Sequence, residues 1–164
     1  MYLLDFRRLI LALSVINFVR SFGQIDMINV LNSYQDAIDL DFSNLSIDKI
    51  FVNNAGNDCL DLSSGNYLIT NSLLSNCKDK AISLGEKGFL NLEQGQIYDS
   101  FSALVVKDSS KMIAKNINTG GVKNCYLVYR KKQEFGESSL NLDKFFCNKG
   151  IRYIQENSSF ISKE

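Results

Sequence analysis

"DAIDLDFSN" (residues 36–44), "NDCLDLSSG" (57–65) and "DKAISLGEK" (79–87) write one shape three times: a polar or acidic residue, a small one, then apolar and polar residues in alternation. Their small residues, Ala37, Cys59 and Ala81, are followed by Ala103 and Cys125 at a constant step of 22, and one step back lies Val15. The next position reads Ile16, Ile38, Leu60, Ile82, Leu104, Tyr126, and two further on come Phe18, Leu40, Leu62, Leu84, Val106, Val128. Between these apolar columns stand Asn17, Asp39, Asp61, Ser83 and Val105. Period-2 alternation of this kind is a strand with one buried face, repeated once per unit.

Each unit carries two more apolar columns. One is Ile25, Ile47, Ile69 and Ile113, interrupted by Asn91; the other includes Val30, Phe51/Val52, Leu73/Leu74 and Ile117. Asparagines line up as Asn32, Asn54 and Asn76, and polar corners such as Ser63-Ser64-Gly65-Asn66 and Gly85-Glu86-Lys87-Gly88 separate the apolar runs. The runs are too short for amphipathic helices, and the fixed Leu-x-x-Leu-x-Leu-x-x-Asn signature of leucine-rich repeats is absent. The pattern predicts an all-β, right-handed parallel β-helix: about six rungs of 22 residues, three short strands each, spanning residues 15–154. Stacked at about 4.8 Å, like positions meet like, and an asparagine ladder satisfies its amides along a corner. From Cys125 to Ile151 is 26 residues, so "RKKQEFGESS" (130–139) holds about four extra, as a bulged corner loop. Residues 155–164 read as a polar C-terminal end that caps the last edge.

Composition narrows the function. Eighteen basic residues balance eighteen acidic ones in a chain of 164, so no global field draws it to nucleic acid or anionic lipid. Histidine is absent, which removes the usual general base and the commonest metal ligand. Proline is absent too, as suits uninterrupted ladders. The four cysteines fall in two columns, Cys59 with Cys125 and Cys77 with Cys147, whose members lie three rungs apart, roughly 14 Å at the strand spacing. That is too far for a disulfide, so four free thiols are expected.

Residues 1–14 admit several readings. Arg7, Arg8, the apolar run from Leu9 to Ile16, and Ser21 and Gly23 imitate a cleaved secretory signal. Leu3, Phe6, Leu9/Ile10 and Leu13 have helical spacing, as for a cap plugging the solenoid, and a severed rung is the third reading. The run is too short to span a membrane. Six rungs are few for a complete β-helix, which points to a longer polypeptide.

Chemistry is concentrated on the outward positions of the first strand. Asp39 and Asp41 point the same way, Asp61 stacks on Asp39, and Asp36 stacks under Asp58. Five carboxylates over two rungs raise one another's pKa unless neutralised, by a bound Ca²⁺ or by sharing protons as an acid–base pair on a glycosidic bond. A solvated acidic face of turn aspartates is the plain alternative. Further along lie a mixed patch, Lys107-Asp108-Ser109-Ser110-Lys111, and a basic one, Tyr129-Arg130-Lys131-Lys132. Lys107, Tyr129, Arg130 and Lys131 are candidate contacts to an acidic glycan or a phosphorylated partner. No nucleophile–base pair or phosphate-binding loop is present.

These rungs resemble the right-handed β-helix, pectin-lyase-like superfamily over nearly the whole chain from Val15. More narrowly, "DAIDLDFS", "NAGNDCLDLSSG", "DKAISLGEKG", "ALVVKDSSK" and "YRKKQEFG" look like rungs of bacterial β-helix regions found in or beside proteins of the spore coat protein H-like kinase family. The first resemblance implies carbohydrate contact, and the second a C-terminal module working with a kinase-like domain whose own residues are not recognisable here. Polygalacturonase members of the superfamily combine clustered aspartates with a histidine and an Arg-x-Lys element, and this chain has only the aspartates. Pectate lyases combine Ca²⁺-binding acids with an arginine, which no neighbouring rung supplies on that face. The leading expectation is therefore a non-catalytic scaffold or binding module for polysaccharide or envelope glycan, secreted or at the cell envelope. A polysaccharide lyase or hydrolase using Asp39, Asp41 and Asp61 is the runner-up, and an accessory module of such a kinase the third.

Overall fold

The computed structural model describes residues 3–6 and 14–163. Its thirteen strands are β1 (Leu3–Phe6), β2 (Ser14–Val19), β3 (Phe22–Val30), β4 (Asp36–Ala55), β5 (Leu60–Cys77), β6 (Lys80–Gly85), β7 (Phe89–Tyr98), β8 (Ser102–Lys107), β9 (Lys111–Gly120), β10 (Asn124–Tyr129), β11 (Ser139–Cys147), β12 (Ile151–Ile154) and β13 (Ser159–Lys163). Every pairing is parallel, and no helix occurs among the described residues.

The chain is a parallel β-solenoid of about 7 turns, one more than the sequence count. Three faces run its length. The first stacks β2, the start of β4 and of β5, then β6, β8, β10 and β12. The second stacks Phe22–Ile25, Asn44–Ile47, Asn66–Ile69, then the starts of β7, β9 and β11, and finally β13. The third begins with β1 on Met27–Val30 and ends with Phe145–Cys147. Two rungs run as single strands of 20 and 18 residues, because the backbone pairs continuously through their corners.

The corners are legible in the dihedrals. Arg20, Phe42, Ser64, Glu86 and Asp108 all have positive φ, between 43° and 58°, and follow one another at the 22-residue step. Asn54 and Asn76 turn the corner from the third face to the first with φ of 71° and 56°, the left-handed region asparagine tolerates best among non-glycine residues. The predicted ladder exists at one step, Asn54 Nδ2 donating to Asn32 Oδ1 at 2.8 Å, whereas Asn76 Nδ2 reaches Asn53 Oδ1 instead. Inside, the apolar columns are dry: Ile38, Leu60, Ile82 and Leu104 have no exposed surface. Each such side chain contributes about 1.5–3 kcal/mol. Tyr67 fills the first corner, donating its hydroxyl to Leu40 O at 2.8 Å, and burial pushes that phenol up to about 12.

Two expectations change. The interruption at Asn91 is a register shift: Asn66 pairs with Phe89 and Ile69 with Leu92, a step of 23, so the inward residue is Leu92 and Asn91 sits on the outer surface. The corner Gly85–Gly88 holds the extra residue, and a shorter corner after Tyr98 restores the step, since Lys80 again pairs with Ser102. The cysteines are not free. Cys59 bonds Cys77 and Cys125 bonds Cys147, with Cα–Cα distances of 5.4 and 6.1 Å. Column stacking overlooked the other neighbour relation of a coil, in which the end of a rung returns beside its own beginning. The separations, 18 and 22, differ by the four residues of the bulged loop.

Strands also occur near both termini. Leu3–Phe6 is a strand paired with Met27–Val30, not part of a helix, while residues 7–13 lie outside the described residues. Residues 159–163 form β13 on the second face, so the polar tail starts a further rung instead of fraying.

Candidate functional site

On the first face the five expected carboxylates separate into two sets. Asp36 and Asp58 are corner braces. Asp36 Oδ1 accepts the Asp58 backbone N–H and the Asn57 amide, both at 2.8 Å, and one rung on Asp58 Oδ1 accepts the Lys80 N–H at 3.0 Å. Asp58 is 3% exposed. Burial drives its carboxyl up to about 6 against the pull of the Lys80 ammonium, with Asp61, Asp79 and Asp36 adding to the rise. Lys80 also pairs with Asp79; burial lowers its pKa, but the hydrogen bond to Asp79 and the charge of Asp58 leave it raised on balance.

Asp39, Asp41 and Asp61 form the outward set. Asp39 pairs directly with Asp61 across the ladder, and Asp41 with Ser63. Partial burial, then the charges of Asp41, Asp61 and Asp36, lift Asp39 to about 6; Asp41 is raised by burial, Asp61 and Glu86. Asn17 Nδ2 donates to Asp39 Oδ2 at 3.3 Å. Among the described residues, no group of three or more acidic or cysteine side chains is placed to hold a metal ion. Of the five residues expected to hold Ca²⁺, Asp36 and Asp58 each spend one oxygen on the corner, while Asp39, Asp41 and Asp61 stand on the outward face.

The basic patch resolves into a loop and its anchor. Asp108, fully buried at a left-handed corner position, accepts the backbone N–H groups of Lys131 and Lys132 at 2.7 and 2.8 Å. Ser109 Oγ accepts the Gly136 N–H at 2.6 Å, and Ser138 Oγ accepts that of Ser110. Lys132 pairs with Glu86. Asp108, Ser109 and Ser110 therefore tie down the inserted loop. Lys107 lies across Gly85, where an added Cβ would come within 3.0 Å of its Cε, and donates to Ser83 Oγ at 2.8 Å. Tyr129 is half-buried, its phenol raised by burial and by Asp108, Asp79 and Asp58 against the pull of Lys80. Of the four candidate contacts, Arg130 and Lys131 are the exposed ones.

A concavity lies elsewhere, on the third face. It is a groove of about 520 Å³. One row along its floor is Lys49, Asn71, Gln94 and Asn116; the adjacent row is Phe51, Leu73, Gln96 and Asn118. Amide side chains thus flank a two-rung apolar strip, Phe51 and Leu73, and continue it as Gln96 and Asn118, and no carboxylate lines the groove. The inward positions beneath are small, Ser72 and Gly95. A Cβ on Gly95 would press within 2.9 Å of Ile117 Cδ1, so the glycine lets the wall lie close. Sequence reasoning missed this row because the extra residue at Gly85–Gly88 displaces it: a constant step of 22 from Asn71 lands on Glu93, not Gln94. The interruption at Asn91 was the signal that would have exposed the shift.

Such a surface donates and accepts through its neutral amides, with the Lys49 ammonium as a further donor, which suits a hydroxyl-rich ligand. Among the described residues no helix is long and apolar enough to cross a membrane. Comparison with protein-family models, curated proteins and solved structures gives no match.

Proposed function

We propose that this chain is a non-catalytic scaffold and binding module that contacts glycan or cell-envelope material through the third-face groove. The observation that carries the reading is the row Asn71–Gln94–Asn116 beside the apolar strip Phe51–Leu73. Amides supply paired donors and acceptors to neighbouring hydroxyls, while Phe51 and Leu73 offer apolar surface to the C–H face of a sugar ring. The resemblance of the rungs to the pectin-lyase-like superfamily supports a carbohydrate partner. The two disulfides support an oxidising compartment, in keeping with secretion or the cell envelope. Association with a spore coat protein H-like kinase rests on the likeness of rung sequences alone and picks out no surface.

One observation favours the enzyme reading. Asp39, with a carboxyl near 6 beside Asp61, has the proton affinity of a general acid at neutral pH. A single experiment separates the two: incubation with neutral and acidic polysaccharides, scored for retention on the polymer and for new reducing ends or unsaturated products. Retention without product, lost in Gln94→Ala/Gln96→Ala, is the expected result. Product release abolished by Asp39→Asn would replace the binding reading with the enzymatic one.

A further inference from the structure

We infer that the third-face groove holds one unbranched polysaccharide lying along the solenoid axis, one sugar to a rung, with an anionic group on the sugar at the Lys49 end and neutral sugars over the amides. This placement rests on the binding role proposed above and adds to it the course of the ligand and the position of its charge. The outline of the groove supports the axial course. Its side chains stand in two outward rows, Lys49–Asn71–Gln94–Asn116 and Phe51–Leu73–Gln96–Asn118, two residues apart on each of four successive rungs. At the spacings of a parallel sheet the rows are about 14 Å long and about 7 Å apart. A strip of that shape has room for a single extended chain, whereas a branched ligand would overhang both rows. Each of these rungs is paired to neighbours on both sides, so side chains and not backbone edges meet the ligand.

The two halves of the groove differ. Phe51 and Leu73 offer apolar surface to the C–H faces of two rings, while the next two rungs present only amides. Those amides are already oriented. The Tyr98 hydroxyl donates to Gln96 Oε1 at 3.4 Å, which leaves Gln96 Nε2 to donate outward. Asn116 Nδ2 donates to the Glu93 carbonyl at 3.2 Å, which leaves Asn116 Oδ1 to accept. A donor and an acceptor held on neighbouring rungs suit the hydroxyls of neutral sugars and lose little freedom on binding. Charge sets the polarity. Among the described residues Lys49 is the one ionised side chain lining the groove; it is exposed and forms no ion pair there. Asp26 and Asp48 do not line the groove. An ammonium with no carboxylate beside it in the groove favours an anionic substituent on the ring that covers Phe51, and the other three rungs offer no charge to a second one.

Titration of the full chain with unbranched β-linked gluco-oligosaccharides of two, three and four units tests this, together with a four-unit chain ending in a glucuronate. Affinity is expected to rise with each added unit, since each reaches a further rung. In low salt the glucuronate-ended chain should bind about threefold tighter than the neutral one, the size of an exposed charge pair. The ratio of the two affinities should fall to one in high salt and in Lys49→Gln, whose exposed position preserves folding. Equal affinity for two and four units would overturn the axial course. A glucuronate preference that is absent, or that survives Lys49→Gln, would overturn the placement of the charge, and binding of none of the four chains would overturn both. Each of these failures leaves the binding role standing, which falls only if the chain is retained on no polysaccharide.

Discussion

Breaking the Cys59–Cys77 bond tests how the coil is closed on itself. Both cysteines are buried, at 0% and 1% exposure, and the bond joins the start of the first face to the end of the third within a single rung. Closing a loop of 18 residues in the unfolded chain removes conformational entropy worth roughly 3 kcal/mol, and the 22-residue loop of Cys125–Cys147 is worth slightly more. Cys59→Ala/Cys77→Ala should therefore lower unfolding free energy by about 3 kcal/mol, together with a smaller loss for the vacated sulfur volume. For a chain of this size that is a drop in Tm of about 6–12 °C. Removing both bonds should cost roughly 6 kcal/mol, comparable with the entire stability of many domains. Urea unfolding followed by far-UV circular dichroism, with and without reductant, reads these differences. A midpoint unchanged in the double-alanine variant, or four titratable thiols in the unreduced denatured protein, would refute the reasoning.

Asp39 and Asp58 both have carboxyl pKa values near 6 in the folded chain, raised above the ordinary value of 3.8. Folding thus takes up protons between about pH 4 and 6, so these two groups make the protein less stable as pH rises through that window, and Asp39→Asn should flatten the slope in a pH series of melting curves. Asp108→Ala removes the acceptor of two backbone N–H groups in a buried corner. About 3 kcal/mol of destabilisation and selective proteolysis within residues 130–138 are expected, against no new cleavage if the loop holds itself. Gly65→Ala would drive a Cβ to 2.1 Å from the Ser43 carbonyl oxygen at a φ of 134°. It should cost more than 2 kcal/mol in denaturant unfolding, whereas Gly23→Ala, with nothing within 4 Å, should cost less.

The repeat was legible because stacked rungs force like on like: Ile38, Leu60 and Ile82 share a column for the same reason that they share a spacing. The outward aspartates were legible too, since alternation alone assigns Asp39 and Asp61 to the outer surface. What escaped depends on where the chain departs from its period. A single inserted residue at Gly85–Gly88 hid the amide row on the third face. The cysteines were read along columns, although a coil also brings together residues most of a turn apart, and 18 residues is the distance around one rung to the same corner. The roles of Asp58 and Asp108 were hidden for a different reason. A carboxylate that braces a corner through backbone N–H groups carries the same letter as one that meets a ligand, and only its burial separates them.

The most direct test of the account is an amide NMR titration of the isotope-labelled chain with a soluble neutral oligosaccharide. Shifts confined to Lys49, Phe51, Asn71, Leu73, Gln94, Gln96, Asn116 and Asn118, saturating without loss of the oligosaccharide, are predicted. Shifts centred on Asp39, Asp41 and Asp61, with the oligosaccharide consumed, would contradict it.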